Sequence, residues 1–176
     1  MNAPYRLLSP DDRMQFWTGL LKRSLPGLST LLLIALMTLP VFASFPLLPH
    51  LALLGVFIWA TFQPGLMPPW VAFLLGVVAD LLLGLPLGVN TTLLPLVTIF
   101  VRTFEARYGH HSYGFDWMVA AAVVLVYELA TWQLLAFTGN HGPFAPLLVQ
   151  VATTILAYPA VILFCARIQR GFAGDA

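Results

Sequence analysis

The stretch WVAFLLGVVADLLLGLPLGVN, residues 70–90, is an apolar run with a single carboxylate inside it. Asp80 lies roughly 15 Å beyond Trp70 along a helix with a rise of about 1.5 Å per residue, which is near the middle of a bilayer. A charge at that depth costs at least about 2.5–3.5 kcal/mol, so other groups must compensate for it. Gly76 and Gly84 flank Asp80 at four-residue spacing, which places the three on one helix face. This pattern predicts close packing of another helix against that face.

The composition indicates an integral membrane protein. The 176 residues are 60% hydrophobic and 9% charged, whereas soluble domains are about 45–50% apolar and about 25% charged. A net charge of +1 gives no indication of a nucleic-acid partner. The one cysteine, Cys165, excludes an intramolecular disulfide and any multi-cysteine metal site.

The apolar runs predict an all-α membrane protein with six transmembrane helices. We expect an amphipathic cytoplasmic segment over residues 1–25, a membrane domain over residues 26–167 and a cytoplasmic tail over residues 168–176. For the first segment, a solvated tail with chance periodicity is the alternative. The predicted membrane helices cover residues 26–48, 50–65, 69–85, 90–104, 116–137 and 143–167.

The distribution of basic residues predicts the topology. If six helices cross the membrane and the N-terminus is cytoplasmic, all eight basic residues lie on the cytoplasmic side, as the positive-inside rule requires. They are Arg6, Arg13, Lys22, Arg23, Arg102, Arg107, Arg167 and Arg170. The second and fourth helices are short for a bilayer about 30 Å thick. If the second failed to cross, Arg102 and Arg107 would lie outside, so we expect six spans with both termini inside.

Glu128 is a second acid predicted at mid-membrane depth. No basic residue lies inside a predicted span to pair with Glu128 or Asp80, so each must be neutralised or held by hydrogen bonds. The polar residues predicted at similar depth are Thr38, Thr153, Thr154 and Tyr158. One interpretation is a proton relay between the two acids, and the other is a pair of satisfied polar groups that fix helix packing. The sequence leaves both open.

Catalytic and metal-binding patterns are missing from the sequence. The four histidines lack cysteine or acidic neighbours at metal-ligand spacing. The glycines near Asp80 lie four apart in an apolar run and form no phosphate-binding loop. The serines and threonines have no nearby base that could generate a nucleophile. We therefore expect no enzyme activity, no metal and no cofactor.

The segment GVVADLLLGLPLG, residues 76–88, followed by Asn90-Thr91-Thr92, resembles the motif of the rod shape-determining protein MreD family. The similar length, the long first helix, the short second helix ending at Gln63-Pro64 and the short basic tail extend this resemblance over nearly the whole chain. From the motif we expect helix packing or partner binding at Gly76, Asp80, Gly84, Pro86, Gly88 and Asn90. The proposed role of Glu128 rests on physical arguments alone.

The resemblance implies a non-catalytic scaffold in the bacterial inner membrane that helps to build the lateral cell wall and maintain rod shape. Its implied partners are the transmembrane helix of MreC, the MreB filament, RodA, a penicillin-binding transpeptidase and membrane lipids. It also implies a fold similar to the substrate-binding subunits of energy-coupling-factor transporters. That similarity suggests the alternative function, a small-molecule-binding transporter subunit or a proton-coupled transporter using Asp80 and Glu128. The short predicted outer loops, with few polar residues, argue against small-molecule capture.

Overall fold

A computed structural model of the protein describes residues 10–38, 49–109, 113–137, 139 and 144–173. The side chains of residues 10–22, 113, 172 and 173 are outside this description. The described residues form six helices and no strand. The helices are α1 (Pro10–Met37), α2 (Leu51–Phe62), α3 (Pro69–Leu83), α4 (Val89–Tyr108), α5 (Tyr113–Phe137) and α6 (Phe144–Ala173).

The predicted all-helical class is confirmed, and the observed helix bounds differ from the predicted ones mainly at proline. The sequence predicted a boundary at Pro26, but α1 passes through it without a break. Residues 39–48, the predicted end of the first membrane helix, lie outside the described residues. Pro95 does not interrupt α4, which is also longer than predicted. α6 extends into the predicted tail as far as Ala173. The placement of the N-terminal segment on a membrane surface stays a prediction.

α2 is the central helix of the bundle. Its residues 52–61 are all buried, and it packs against α1, α3, α4 and α6. A helix that is apolar on every side is stable only when other helices surround it. Its 12 residues extend about 18 Å, which is well short of a bilayer core about 30 Å thick.

Hydroxyl groups near Pro26 connect α1 to the central helix. The Pro26 carbonyl oxygen accepts hydrogen bonds from Ser29 Oγ at 3.1 Å and Thr30 Oγ1 at 2.8 Å. Ser29 Oγ also accepts a hydrogen bond at 2.8 Å from the Trp59 indole of α2. Gly55 lets the two helices approach, since a Cβ at this position would lie 3.0 Å from the Thr30 side chain. This contact fixes α1 against the central helix.

α3 and α4 form the most extensive helix pair, and Gly76 is the reason that they approach so closely. A Cβ on Gly76 would lie 2.5 Å from the Asn90 carbonyl oxygen and 2.7 Å from Thr91 Cα, both in the first turn of α4. Real Cβ atoms essentially never approach backbone atoms at these distances. The close contact between Gly76 and the α4 backbone therefore requires a residue without a Cβ atom.

The outer surface is apolar, as expected of a membrane protein. Large hydrophobic side chains are exposed on α1, α3, α4, α5 and α6. Within the described residues, the 24-residue segment Gly114–Phe137 and the 28-residue segment Phe144–Gly171 are long and apolar enough to cross a membrane. The apolar helices Arg23–Met37, Leu51–Phe62 and Pro69–Leu83 are shorter.

The described arginine side chains lie at one end of the bundle. Arg23 lines a groove with Gly65, which follows α2, and Arg102 lines a second groove with Pro64. The last turns of α4 pack on the start of α5 through Phe104 and Phe115, whose ring centroids are 6.2 Å apart. The start of α5 in turn lies against the second half of α6, where Gly114 and Ile162 line one depression. Arg107, Arg167 and Arg170 are therefore at the same end.

We expect Gly76→Ala to destabilise the bundle, because the added methyl group overlaps the α4 backbone. Overpacking of this kind costs typically about 1–3 kcal/mol. The matched control is Gly114→Ala, since a Cβ at Gly114 meets nothing within 4 Å. Thermal unfolding of the purified full-length chain in detergent, together with its abundance in membranes, measures the effect. Equal melting temperatures for the two variants would contradict the close contact between α3 and α4.

Candidate functional site

Asp80 takes part both in the termination of α3 and in the capping of α4. Its backbone carbonyl oxygen accepts hydrogen bonds from the amides of Gly84 and of Leu85, the latter at 3.0 Å. The bond from Leu85 is the 6→1 bond of a Schellman motif and the bond from Gly84 is the 5→1 bond of an αL motif, and in both the residue after the last helical turn is left-handed. Gly84 occupies that position with φ 66°, which glycine adopts without strain.

The Asp80 side chain is fully buried and accepts four hydrogen bonds from the start of α4. Asn90 N donates to Oδ1 at 2.8 Å, and Gly88 N donates to Oδ2 at 3.0 Å. Thr91 donates to Oδ2 twice, from its amide at 3.1 Å and from its hydroxyl at 2.8 Å. An ionised carboxylate is a hydrogen-bond acceptor only, and all four partners are donors.

The carboxylate thus caps α4 from the preceding helix. The first amides of any helix have no intrahelical partner, and the N-cap residue Gly88 has no side chain to supply one. Asp80 satisfies two of these amides, and Val89 N reaches the Pro86 carbonyl oxygen at 3.4 Å. A negative charge at a helix N-terminus also interacts favourably with the helix dipole. These interactions replace the basic partner that the sequence lacks.

The four polar residues predicted at the depth of the two acids form no hydrogen bond with Asp80. Thr38 Oγ1 donates to the Ala35 carbonyl oxygen, and Thr153 Oγ1 donates to the Gln150 carbonyl oxygen. Thr154 Oγ1 also donates to Gln150 O, and the Tyr158 hydroxyl has no hydrogen-bond partner among the described residues. Backbone amides, which every residue except proline carries, satisfy the acid instead.

The motif residues around Asp80 have different structural roles. Gly76 is buried against α4, whereas a Cβ on Gly84 would meet nothing within 4 Å. Gly84 therefore lies beyond the close-packed face that its spacing predicted. Gly88 has φ 118°, a left-handed conformation that also favours glycine. Pro86 lies in the turn between α3 and α4, half-buried.

Asn90 connects this cap to the rest of the bundle. Its side chain is fully buried, and its Oδ1 accepts a hydrogen bond from the Tyr127 hydroxyl of α5. The Tyr127 ring lies against the His50 ring, with a centroid separation of 5.0 Å. The His50 amide, at the start of α2, donates to Thr154 Oγ1 of α6 at 2.9 Å. These hydrogen bonds, together with the ring contact between Tyr127 and His50, join α3, α4, α5, α2 and α6, and we call the set the Asp80 network.

Glu128 lies outside the Asp80 network. Its side chain is 3% exposed, and no hydrogen-bond partner for its Oε1 occurs among the described residues. Glu128 is adjacent in sequence to Tyr127, whose hydroxyl bonds Asn90 beside Asp80. Glu128 and Asp80 share no hydrogen bond, because the partners of Asp80 all belong to residues 88–91.

Sequence reasoning missed three members of the network: His50, Thr91 and Tyr127. His50, predicted only as the first residue of the second helix, is buried at the N-cap of α2. Tyr127 had a usable signal, since it is a polar aromatic residue next to a buried acid in an apolar helix. Asn90-Thr91 had another, because Asn and Thr at a helix start are typical of capping.

The described residues contain no group of three or more His, Cys, Asp or Glu side chains that could hold a metal ion. The buried polar groups instead connect helices to one another. Fold and site together define an α-helical integral membrane protein whose central polar network fixes the arrangement of its helices.

The family model described as rod shape-determining protein MreD matches residues 21–168. The chain belongs to the MreD family. This family is non-catalytic and takes part in rod shape determination, so the protein is a membrane component of that process and not an enzyme. Neither the curated proteins nor the solved structures include a significant match to the chain.

We expect Asp80→Leu to be far more damaging than Asp80→Asn. If the asparagine oxygen replaces Oδ2, it keeps the hydrogen bonds from the Gly88 amide and from the amide and hydroxyl of Thr91. Its NH₂ group then replaces Oδ1 and faces the Asn90 amide, so that two donors oppose each other. Leucine leaves all four donors unpaired in a buried site. Each lost hydrogen bond to a charged acceptor costs about 1.5–3 kcal/mol. The measurements are membrane abundance, thermal unfolding of the purified protein and complementation of cell shape.

Thr91→Val is the matched partial variant, because it removes one hydrogen bond and keeps the side-chain shape. The expected order of stability is wild type, Thr91→Val, Asp80→Asn and then Asp80→Leu. If Asp80→Asn abolished shape complementation while its stability matched that of Thr91→Val, ionisation itself would be needed, and a purely structural role for Asp80 would be wrong.

Proposed function

We propose that the protein is a membrane scaffold of the cell-wall elongation machinery that binds the transmembrane helix of MreC. The single observation that carries this proposal is an unfilled apolar groove between α4 and α5. The cavity has a volume of about 560 Å³ and is lined by both helices along much of their length. Adjacent antiparallel helices normally fill the space between them. A partner helix is therefore a suitable occupant.

The side chains of the groove suit helix–helix contact in lipid. Ala122 and Ala130 lie two turns apart on the α5 side, with Val126 between them. Phe100 and Phe104 provide a wall on the α4 side. Association in lipid depends on close packing and on small residues that let backbones approach. The two alanines let a partner backbone approach, and the two phenylalanine rings provide a surface for close packing.

The position of the groove connects it to the Asp80 network. Tyr127 lines the groove, and its hydroxyl binds Asn90 in the first turn of α4. A helix seated between α4 and α5 would therefore contact the residue that joins these helices to the network. We infer that the network holds this surface in a fixed shape for its partner. Through MreC, the protein would help to position MreB, RodA and a penicillin-binding transpeptidase.

The proton-transport alternative has less support. A relay acid must exchange protons with a neighbouring group, whereas Asp80 accepts four hydrogen bonds from fixed donors of one helix terminus. The similarity to substrate-binding subunits of energy-coupling-factor transporters stays a prediction.

The proposed topology has six spans and both termini in the cytoplasm of a bacterium with the protein in its inner membrane. It is supported by the position of the described arginines, which lie at one end of the bundle, as the positive-inside rule requires of a cytoplasmic face. The end of α5 at Phe137 would then face outward.

We expect Ala122→Phe to reduce co-purification of MreC, because the larger side chain occupies the groove. The retained MreC should fall by at least about fivefold, which corresponds to about 1 kcal/mol of lost packing. Ala152→Phe is the matched control, since Ala152 is exposed on α6 and is not part of the groove. Equal MreC retention by the two variants, at equal abundance in the membrane, would contradict this binding site.

The topology is tested with single cysteines in a Cys165→Ala background. A cysteine at Phe137, which is 79% exposed, should react in intact cells with a membrane-impermeant thiol reagent. A cysteine at the exposed Ala106, near the arginine end, should react only after the membrane is opened. Labelling of the Ala106→Cys variant in intact cells would overturn the proposed orientation.

A further inference from the structure

A second groove, between α1 and α3, differs from the proposed MreC site in having a charged end. The cavity has a volume of about 760 Å³ and opens at the side of the bundle. Its inner part is formed by aliphatic side chains of α1 and α3, namely Leu28, Leu31, Val71, Leu74, Leu75 and Val78. The groove exists partly because Gly27 of α1 has no side chain to fill it: a Cβ there would touch Val71 Cγ1 only at 3.8 Å.

Arg23 is the charged group at the end of this groove. Its side chain is exposed, and no acidic side chain among the described residues pairs with it. Trp70 lies on the opposite side of the same end and is 65% exposed. Tryptophan is enriched at the level of the lipid headgroups. The polar end of the groove thus combines a cation that has no acidic partner among the described residues with an aromatic side chain typical of the membrane interface.

The length of the groove agrees with this arrangement. Arg23 and Leu31 are about 12 Å apart along α1, and Trp70 and Val78 are about 12 Å apart along α3. A molecule in the groove would therefore have an anionic group at Arg23 and an apolar chain extending toward Leu31 and Val78. Basic pockets between membrane helices on the cytoplasmic side bind anionic lipid headgroups.

We propose that the α1–α3 groove binds an anionic phospholipid, with the phosphate at Arg23 and an acyl chain along α1 and α3. The inference depends on the proposed topology, which places Arg23 at the cytoplasmic leaflet. A partner helix would need an acid of its own to pair with Arg23, whereas a phospholipid brings its phosphate to the charged end of the groove. The charge at its end also has no equivalent in the α4–α5 groove.

The test uses the full-length chain reconstituted in nanodiscs that contain equal amounts of dioleoylphosphatidylglycerol and dioleoylphosphatidylcholine. Native mass spectrometry after release measures the ratio of the two lipids that stay bound. The wild type should retain phosphatidylglycerol preferentially. Arg23→Gln should lower the ratio by about fivefold, as expected for loss of one basic residue at a headgroup. Gly27→Leu should reduce retention of both lipids, because its side chain fills the groove.

Arg102→Gln is the matched control, since Arg102 lies at the same end of the bundle but lines a different depression. An unchanged ratio in Arg23→Gln, or an equal fall in Arg102→Gln, would overturn the proposal, because attraction by the whole charged end would then explain any preference. Loss of MreC co-purification in Arg23→Gln with an unchanged lipid ratio would assign the groove to a partner helix and overturn it too. The lipid ratio is measured without MreC, so a failed lipid site and a failed MreC site give separate results.

Discussion

The contact between the Asp80 carboxylate and the first turn of α4 is the constraint on which the rest of the bundle depends. One residue supplies the backbone carbonyl that terminates α3 and the side chain that caps α4. This arrangement allows two helices to reverse direction through a short turn without leaving amide groups unsatisfied. In lipid, an unsatisfied backbone group costs several kcal/mol, so an apolar hairpin of this kind requires such an internal acceptor.

The burial of α2 depends on several contacts among the helices around it. Asp80 and Gly76 hold α4 against α3, while Asn90 and Tyr127 attach α4 to α5. The His50–Thr154 hydrogen bond then ties the start of α2 to α6. α2 is shorter than the bilayer core is thick, and it is enclosed by α1 and by helices that share these contacts. The central helix is thus positioned by its N-terminus as well as by apolar packing.

The sequence predicted the helical class, the importance of Asp80 and the close approach at Gly76, because burial of charge and residue size can be evaluated without coordinates. It could not identify the partners of Asp80, since three of the four donors are backbone amides and such groups carry no residue-specific signal. Gly84 was misassigned for a related reason. Its spacing from Asp80 matches Gly76, but α3 ends just before it, and helix ends are set by backbone conformation rather than by side-chain period.

The turn between α3 and α4 has internal hydrogen-bond partners for its amides, and it lies at a different level from the end of α5. Asn90 at the start of α4 lies level with Tyr127, whereas α5 continues to Phe137, about 15 Å further along its axis. Because its amides are satisfied within the protein, the lower edge does not need water or lipid headgroups beside it. The exposed Leu87 projects from this edge below the ends of the two longest apolar helices. Within the described residues, the turn therefore lies below the neighbouring end of α5, with the first amides of α4 satisfied by Asp80 and Pro86.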